Sequence, residues 1–151
     1  MPKMLSANFA LDEFTFSQTA ARLGLDNSPD PTALRNLKRL AQTLEQVRSA
    51  LGATPVLVSS GYRSEPLNRA VGGAANSAHL RGLAVDFTAP KFGTVLATAK
   101  AVASSGIAFD QIIFEFGRWV HLGLAIDGQP ARGQLLSIGT TGGYVKGLRV
   151  V

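Results

Sequence analysis

The sequence predicts an α+β fold, and three observations carry that expectation. Apolar residues recur at three- and four-residue spacing between Asp30 and Gly52, as they do along one face of a helix. Two short runs containing β-branched residues, 54–60 and 83–88, read as strands. Residues 111–116 and 119–124 read as a further strand pair closed around Gly117-Arg118.

Taken in order, residues 1–28 form an arm without clean periodicity, in which Phe9, Leu11, Phe14 and Phe16 are expected to dock onto the core. The helix after it starts with Asp30 as N-cap and Pro31 at the first helical position, where a missing N–H is harmless and a fixed φ suits the turn. Leu34, Leu37, Leu40, Ala41, Leu44 and Val47 supply its buried stripe, and Gly52 ends it. Thr54 to Ser60 is a short strand closed by Gly61. From Tyr62 to Leu83 the composition turns to Gly, Ser, Asn and Ala, with Gly72-Gly73 in the middle, which predicts a long functional loop rather than core. Leu83 to Thr88 is a strand that carries Asp86, and roughly Thr94 to Ser104 is a helix capped by Gly106. In the strand pair, a three-residue loop is expected to set Glu115 directly opposite His121. Residues 125–151 read as turns and short strands around Gly142-Gly143, and no repeat or heptad series is present.

Composition bounds the answer. A chain of 151 residues is expected to form one domain, 1–151, with residues 1–28 packed on it as the arm. Its 46% hydrophobic and 17% charged residues are globular usage, and no apolar run approaches the ~20 residues needed to span a bilayer as a helix. The first residues hold no apolar signal core, so the expectation is cytoplasmic synthesis without a signal peptide. A net charge of +5 and a pI near 10.1 favour anionic partners such as nucleic acid or the bacterial wall. The 15 Lys and Arg residues are scattered and form no basic run or nucleic-acid motif, so nucleic acid is not expected as a partner. A monomer is expected.

The chemistry lies in the chain's two histidines, His79 and His121, and in Asp86. Two imidazoles and one carboxylate are what a catalytic zinc takes, three protein ligands with a fourth position left open. The absence of cysteine excludes a closed Cys-rich structural site. Each residue also has an ordinary reading: His79 as a surface or hydrogen-bonded histidine, Asp86 as a strand-end carboxylate bonded to nearby amides. Seven residues along one helix would separate His79 from Asp86 by about 10 Å. They can share a metal only if the chain turns between them, and Gly82 supplies a point where it can.

Several stretches bear on that choice: S-G-Y-R-S at 60–64, L-N at 67–68, V-G-G at 71–73, S-A-H-L-R-G-L-A-V-D at 77–86, F-D-Q at 109–111 and E-F-G-R-W-V-H at 115–121. Together, from about Asn8 to Leu124, they resemble the zinc D-Ala-D-Ala peptidase family, and most closely its small phage and prophage peptidoglycan peptidases, some of them endolysins. The resemblance implies the fold shared with the Hedgehog signalling domain, an antiparallel sheet carrying zinc on one face and flanked by helices. It implies His79, Asp86 and His121 as zinc ligands, Arg63 as the arginine that faces the substrate or polarises its carbonyl, and Ser77 as a residue that binds substrate or orients the loop.

The implied reaction is hydrolysis of an amide bond in the peptidoglycan stem peptide, either as an endolysin-type endopeptidase or as a D-Ala-D-Ala carboxypeptidase. A phage-encoded enzyme reaching the wall from the cytoplasm and acting in the periplasm is the expected setting. Many members of the family carry an acid three positions before the last histidine, where this chain has Arg118. Glu115 is the acid that remains, matching the branch in which a variable loop separates E-F from W-V-H, and it is expected to be the general base. Its alternative is a cross-strand partner for Arg118 or Arg132. Trp119 is expected to pack beside the site, and Asp110 to act as a structural cap. A non-catalytic zinc-binding domain of the same fold is the competing reading, raised by Arg118.

Overall fold

The computed structural model describes residues 2–151. The arm is more ordered than its sequence suggests. It folds into two short helices, α1 (Leu11–Thr15) and α2 (Gln18–Leu23), the second capped by the Ser17 hydroxyl, which accepts from the Ala20 amide. Phe9 and Phe14 are buried as expected, but Phe16 stays 66% exposed. Glu45, out on the long helix, pins the arm's start by accepting hydrogen bonds from the Ser6 hydroxyl and from both nitrogens of Asn8.

That long helix, α3 (Pro31–Ala50), forms where the apolar stripe predicts it. Asp30 caps it by accepting from the Ala33 amide at 2.8 Å. Leu37, Leu40, Ala41, Leu44 and Val47 are fully buried in one core cluster with Val85, Phe87, Ile112, Val120 and Leu122 of the sheet. A second helix, α5 (Val95–Ala103), joins that cluster through Ala99 and Val102, after its Thr94 hydroxyl caps the Ala97 amide.

The stretch from Tyr62 to Leu83 is not a plain loop. It contains helix α4 (Glu65–Ala70), capped by Ser64 with Pro66 in its first turn, and a 3₁₀ turn at Ala78–Arg81. The Ser64-Glu65-Pro66 start is a recognisable helix signal, but six residues are too few to show periodicity against a Gly-rich background.

Six strands make one sheet in the order β1-β2-β4-β3-β5-β6: β1 (Leu57–Ser60), β2 (Ala84–Thr88), β3 (Gln111–Glu115), β4 (Trp119–Gly123), β5 (Gln134–Ile138) and β6 (Val145–Lys146). Neighbours are antiparallel except β3 and β5, which run parallel with Glu115 beside Ile138. The side-chain alternation of period 2 divides the central strands. Val85, Phe87, Ile112, Val120 and Leu122 enter the core, whereas Asp86, Ile113, Glu115, Trp119 and His121 share the opposite face. Among the described residues no helix is long and apolar enough to cross a membrane.

Candidate metal centre and active site

Asp86 and His121 meet because β2 and β4 are in register, with Asp86 directly paired to His121 and both side chains on one face. His79 reaches them from the 3₁₀ turn. Ser77 caps that turn by accepting from the His79 amide at 3.2 Å, and Gly82 closes it at φ 71° before the chain enters β2. The bend needs glycine twice over. An L side chain is strained at that φ, and a Cβ at Gly82 would lie 2.6 Å from the Ala33 carbonyl oxygen of α3. Asn36 of α3 adds a hydrogen bond to the Arg81 carbonyl at 2.9 Å.

The three side chains are buried, and one donor atom from each lies within 4.8 Å of the others. His121 Nδ1 is 3.0 Å and His79 Nε2 3.4 Å from the same Asp86 oxygen, Oδ1. The other nitrogen of His79, Nδ1, donates to the Gly61 carbonyl at 2.7 Å, so Nδ1 carries a proton and Nε2 is the nitrogen turned to the cluster. Gly61 is itself held by close approach of the arm: its Cβ position would be 2.6 Å from the Phe14 carbonyl oxygen, which also accepts from the Tyr62 amide. His121 Nε2 points towards Gly123, where a Cβ would lie 3.6 Å from it. Two imidazole nitrogens and a carboxylate oxygen, converging in a buried pocket with a bonded imidazole behind one of them, fit a zinc ion.

The electrostatics agree with a cation-binding cluster. Burial by itself would raise the Asp86 pKa, but hydrogen bonds from His121 and His79 override it and hold the carboxyl well below the ordinary range. Burial by itself would lower His121, yet the Asp86 hydrogen bond and charge leave it raised above 6.5. Without a metal, the histidine protons do part of a cation's work.

Glu115 stands on the same face, but not where the sequence reading places it. The loop of Phe116, Gly117 and Arg118 pairs Glu115 with Trp119, and Ile113 is the residue opposite His121. Three residues in the loop leave 115 and 119 as the first pair, so Glu115 is a diagonal neighbour of His121, two positions along. Both Phe116 and Gly117 take positive φ, 58° and 67°, and the Arg118 amide closes the turn onto the Glu115 carbonyl. The strain of φ 58° at Phe116 is offset by its ring, packed edge-on to Trp119 at 5.5 Å.

The Trp119 indole in turn donates to Glu115 Oε1 at 2.7 Å. Burial raises the Glu115 pKa above 4.5, the Asp86 charge adds to this, and His121 and the indole hydrogen bond oppose it. Neither arginine weighed as a partner takes this carboxylate. Arg132 is clamped by both oxygens of Asp110, and Arg118 forms no ion pair among the described residues. Asp110 also accepts from the Arg132 amide, so it fixes the start of the connection to β5.

Arg63 follows β1 and is half-buried. Its Nη2 donates to the Ser77 hydroxyl at 3.3 Å, while its Nε is buried without a protein partner. Burial lowers its pKa, and the charges of Asp86 and Glu115 pull it back up. The Ser77 oxygen therefore ties Arg63 to the His79 amide, and its own O–H remains to donate. All these groups line one groove of about 1440 Å³.

A family described as Peptidase M15 matches residues 7–123. The chain belongs to the peptidase M15 family. The matched span of this peptidase M15 member holds all three candidate ligands, Arg63, Ser77 and Glu115. The chain is also 39% identical over 75 residues to the zinc D-Ala-D-Ala carboxypeptidase of Streptomyces albus G, a match covering 50% of this chain and 29% of that protein. It thus spans less than a third of that relative's length. Trp119 as the donor to Glu115, and Gly61 as the acceptor for His79, are the site features that the sequence reading does not contain. Both depend on a register or a backbone carbonyl, which no side-chain pattern announces.

Proposed function

We propose that the chain is a zinc-dependent peptidase that hydrolyses an amide bond of the peptidoglycan stem peptide. One observation carries the proposal: a buried His79, Asp86 and His121 cluster shares a sheet face and a groove with a carboxylate, Glu115, whose pKa is raised. His79 Nε2, Asp86 Oδ1 and His121 Nδ1 are the ligand atoms we assign. When bound, zinc brings a water's pKa towards about 7 and polarises the scissile carbonyl.

Glu115 is placed to take the proton of the attacking water and to hand it to the leaving amine. A carboxylate whose pKa is raised by burial takes a proton more readily than one held in a salt bridge, and it remains acidic enough to pass that proton to the leaving amine. Arg63, a cation with an unpartnered buried N–H, stabilises the negative charge that develops on the carbonyl oxygen. Ser77 positions Arg63 and the His79 turn together, and its O–H is left to meet substrate.

The wall substrate is supported by the carboxypeptidase named among its relatives and by a net charge of +5, which attracts the chain to anionic murein. Endopeptidase or D-Ala-D-Ala carboxypeptidase chemistry fits the same site. We place the protein at the bacterial wall as a phage-type lytic or virion-borne enzyme acting in the periplasm. The alternative of a non-catalytic zinc domain is disfavoured by Glu115, a carboxylate on the site face that forms no ion pair among the described residues. Defined muropeptides digested with and without chelator, and read by mass, test the proposal. Expected is one new amide cleavage that zinc restores after stripping; turnover by fully metal-free protein would refute it.

A further inference from the structure

The family match ends at residue 123, but the groove does not. Beyond β4 the chain returns as β5, parallel to β3, and then as β6. These strands carry the site-bearing face outward by two strand spacings of about 4.8 Å each. Val145 of β6 pairs with Ser137, a fully buried residue on the core side. Alternation therefore turns the preceding residue, Tyr144, to the opposite face. Continued by one position, the register sets Tyr144 beside Ile138, which pairs with Glu115, which pairs with Trp119. Tyr144 lines the same groove as these site residues, 58% exposed to solvent.

We propose that Tyr144 is a substrate-binding residue, its phenol donating a hydrogen bond to a backbone carbonyl of the peptide on the β6 side of Glu115. This inference rests on the peptidase reading of the groove. Partial burial raises the phenol's pKa, and the negative charges of Glu115 and Asp86 raise it further, so the group works as a neutral O–H donor. A phenol O–H has no charge to hold an anion, and the Glu115 carboxylate on this side of the groove repels one, so an uncharged peptide carbonyl, rather than a terminal carboxylate, is the acceptor that fits. Arg63, across the metal cluster after β1, is the group suited to negative charge. A substrate touching both walls spans the groove from Arg63 past Glu115 to Tyr144, so the contact at β6 is made by a part of the peptide away from the reacting carbonyl.

The test uses the zinc-loaded full chain and stem peptides lengthened stepwise at either end. Tyr144→Phe removes only the hydroxyl and is expected to raise KM about three- to tenfold on peptides long enough to reach β6, with kcat, zinc content and thermal midpoint unchanged. Peptides too short to reach it should show no penalty. Affinity measured by calorimetry in a Glu115→Gln background, with and without Tyr144→Phe, reads the same contact without turnover. If the parent binds long peptides through Tyr144 but cleaves none, the hydrolytic reading fails and the assignment of Tyr144 stands. Equal loss on short and long peptides would mean a structural role, and no Tyr144-dependent affinity for any peptide in the series would overturn the proposal.

Discussion

At the residue scale, Glu115 and Trp119 act as a pair. Glu115→Gln keeps the shape and the indole contact but cannot accept a proton. The expected result is unchanged zinc affinity with turnover lower by about 10²- to 10⁴-fold, measured by calorimetry and steady-state kinetics on one preparation. A variant that keeps most of its activity would reassign the base. Trp119→Phe removes the donor to Oε1 and retains an aromatic ring against Phe116. The lost hydrogen bond stabilised the carboxylate, so the Glu115 pKa should rise further. Because the ionised form is the active one, activity should then be lost at a higher pH as the solution is acidified. An acid limb of kcat/KM that fails to move upward would show that the indole does not tune this group. His79, Asp86, His121, Arg63 and Glu115, which the structure gathers in one groove, could be singled out in the sequence because each sits in a short stretch of recognisable residues. The indole contact was not, since it depends on Glu115 facing Trp119 rather than His121, a shift of two residues in the hairpin.

At the element scale, the 3₁₀ turn is where the fold makes the site. Its ends are set by Ser77 and Gly82, its back by Ala33 and Asn36 of α3, and its histidine by Gly61. The need for a turn between His79 and Asp86 followed from their spacing alone, and Gly82 was the residue that could supply it. Gly82→Ala should cost about 1–3 kcal/mol in chemical denaturation, from positive φ and the clash with Ala33. Since relief of the clash moves the His79 turn off α3, zinc affinity should fall more than stability alone predicts. Wild-type affinity in that variant would mean that the turn is set elsewhere. Helix α3 was legible because twenty residues give periodicity room to appear. Helix α4 is six residues in a Gly-rich stretch, and β5 joins its neighbour in parallel across a long connection, so neither pattern was strong enough to read.

At the scale of the whole molecule, a metal and protons compete for the same buried cluster, and this links stability to pH in opposite senses. In the metal-free chain, His121 has a pKa raised above 6.5, so its contribution is fully present below 6.5 and is lost as pH rises through the raised value. Asp86 is depressed below 3.8, so its contribution is present above 3.8 and is lost as pH falls through the lower value. The cluster therefore stabilises the metal-free chain most between those ordinary values and progressively less on the alkaline side. Zinc requires the neutral imidazole and gains affinity as that proton leaves. At a free zinc concentration of 100 times Kd the bound state is favoured by about 2.7 kcal/mol, a rise in Tm of about 5 to 10 °C for a chain of this size. Thermal unfolding at fixed zinc, compared with chelated protein, should thus show a gap in Tm that widens from pH 5.5 to pH 8. The widening comes from both curves, the metal-free one falling while the zinc-bound one holds. A gap that stays constant across that range would mean that zinc does not displace the His121 proton, and that the ion sits somewhere other than between His79, Asp86 and His121.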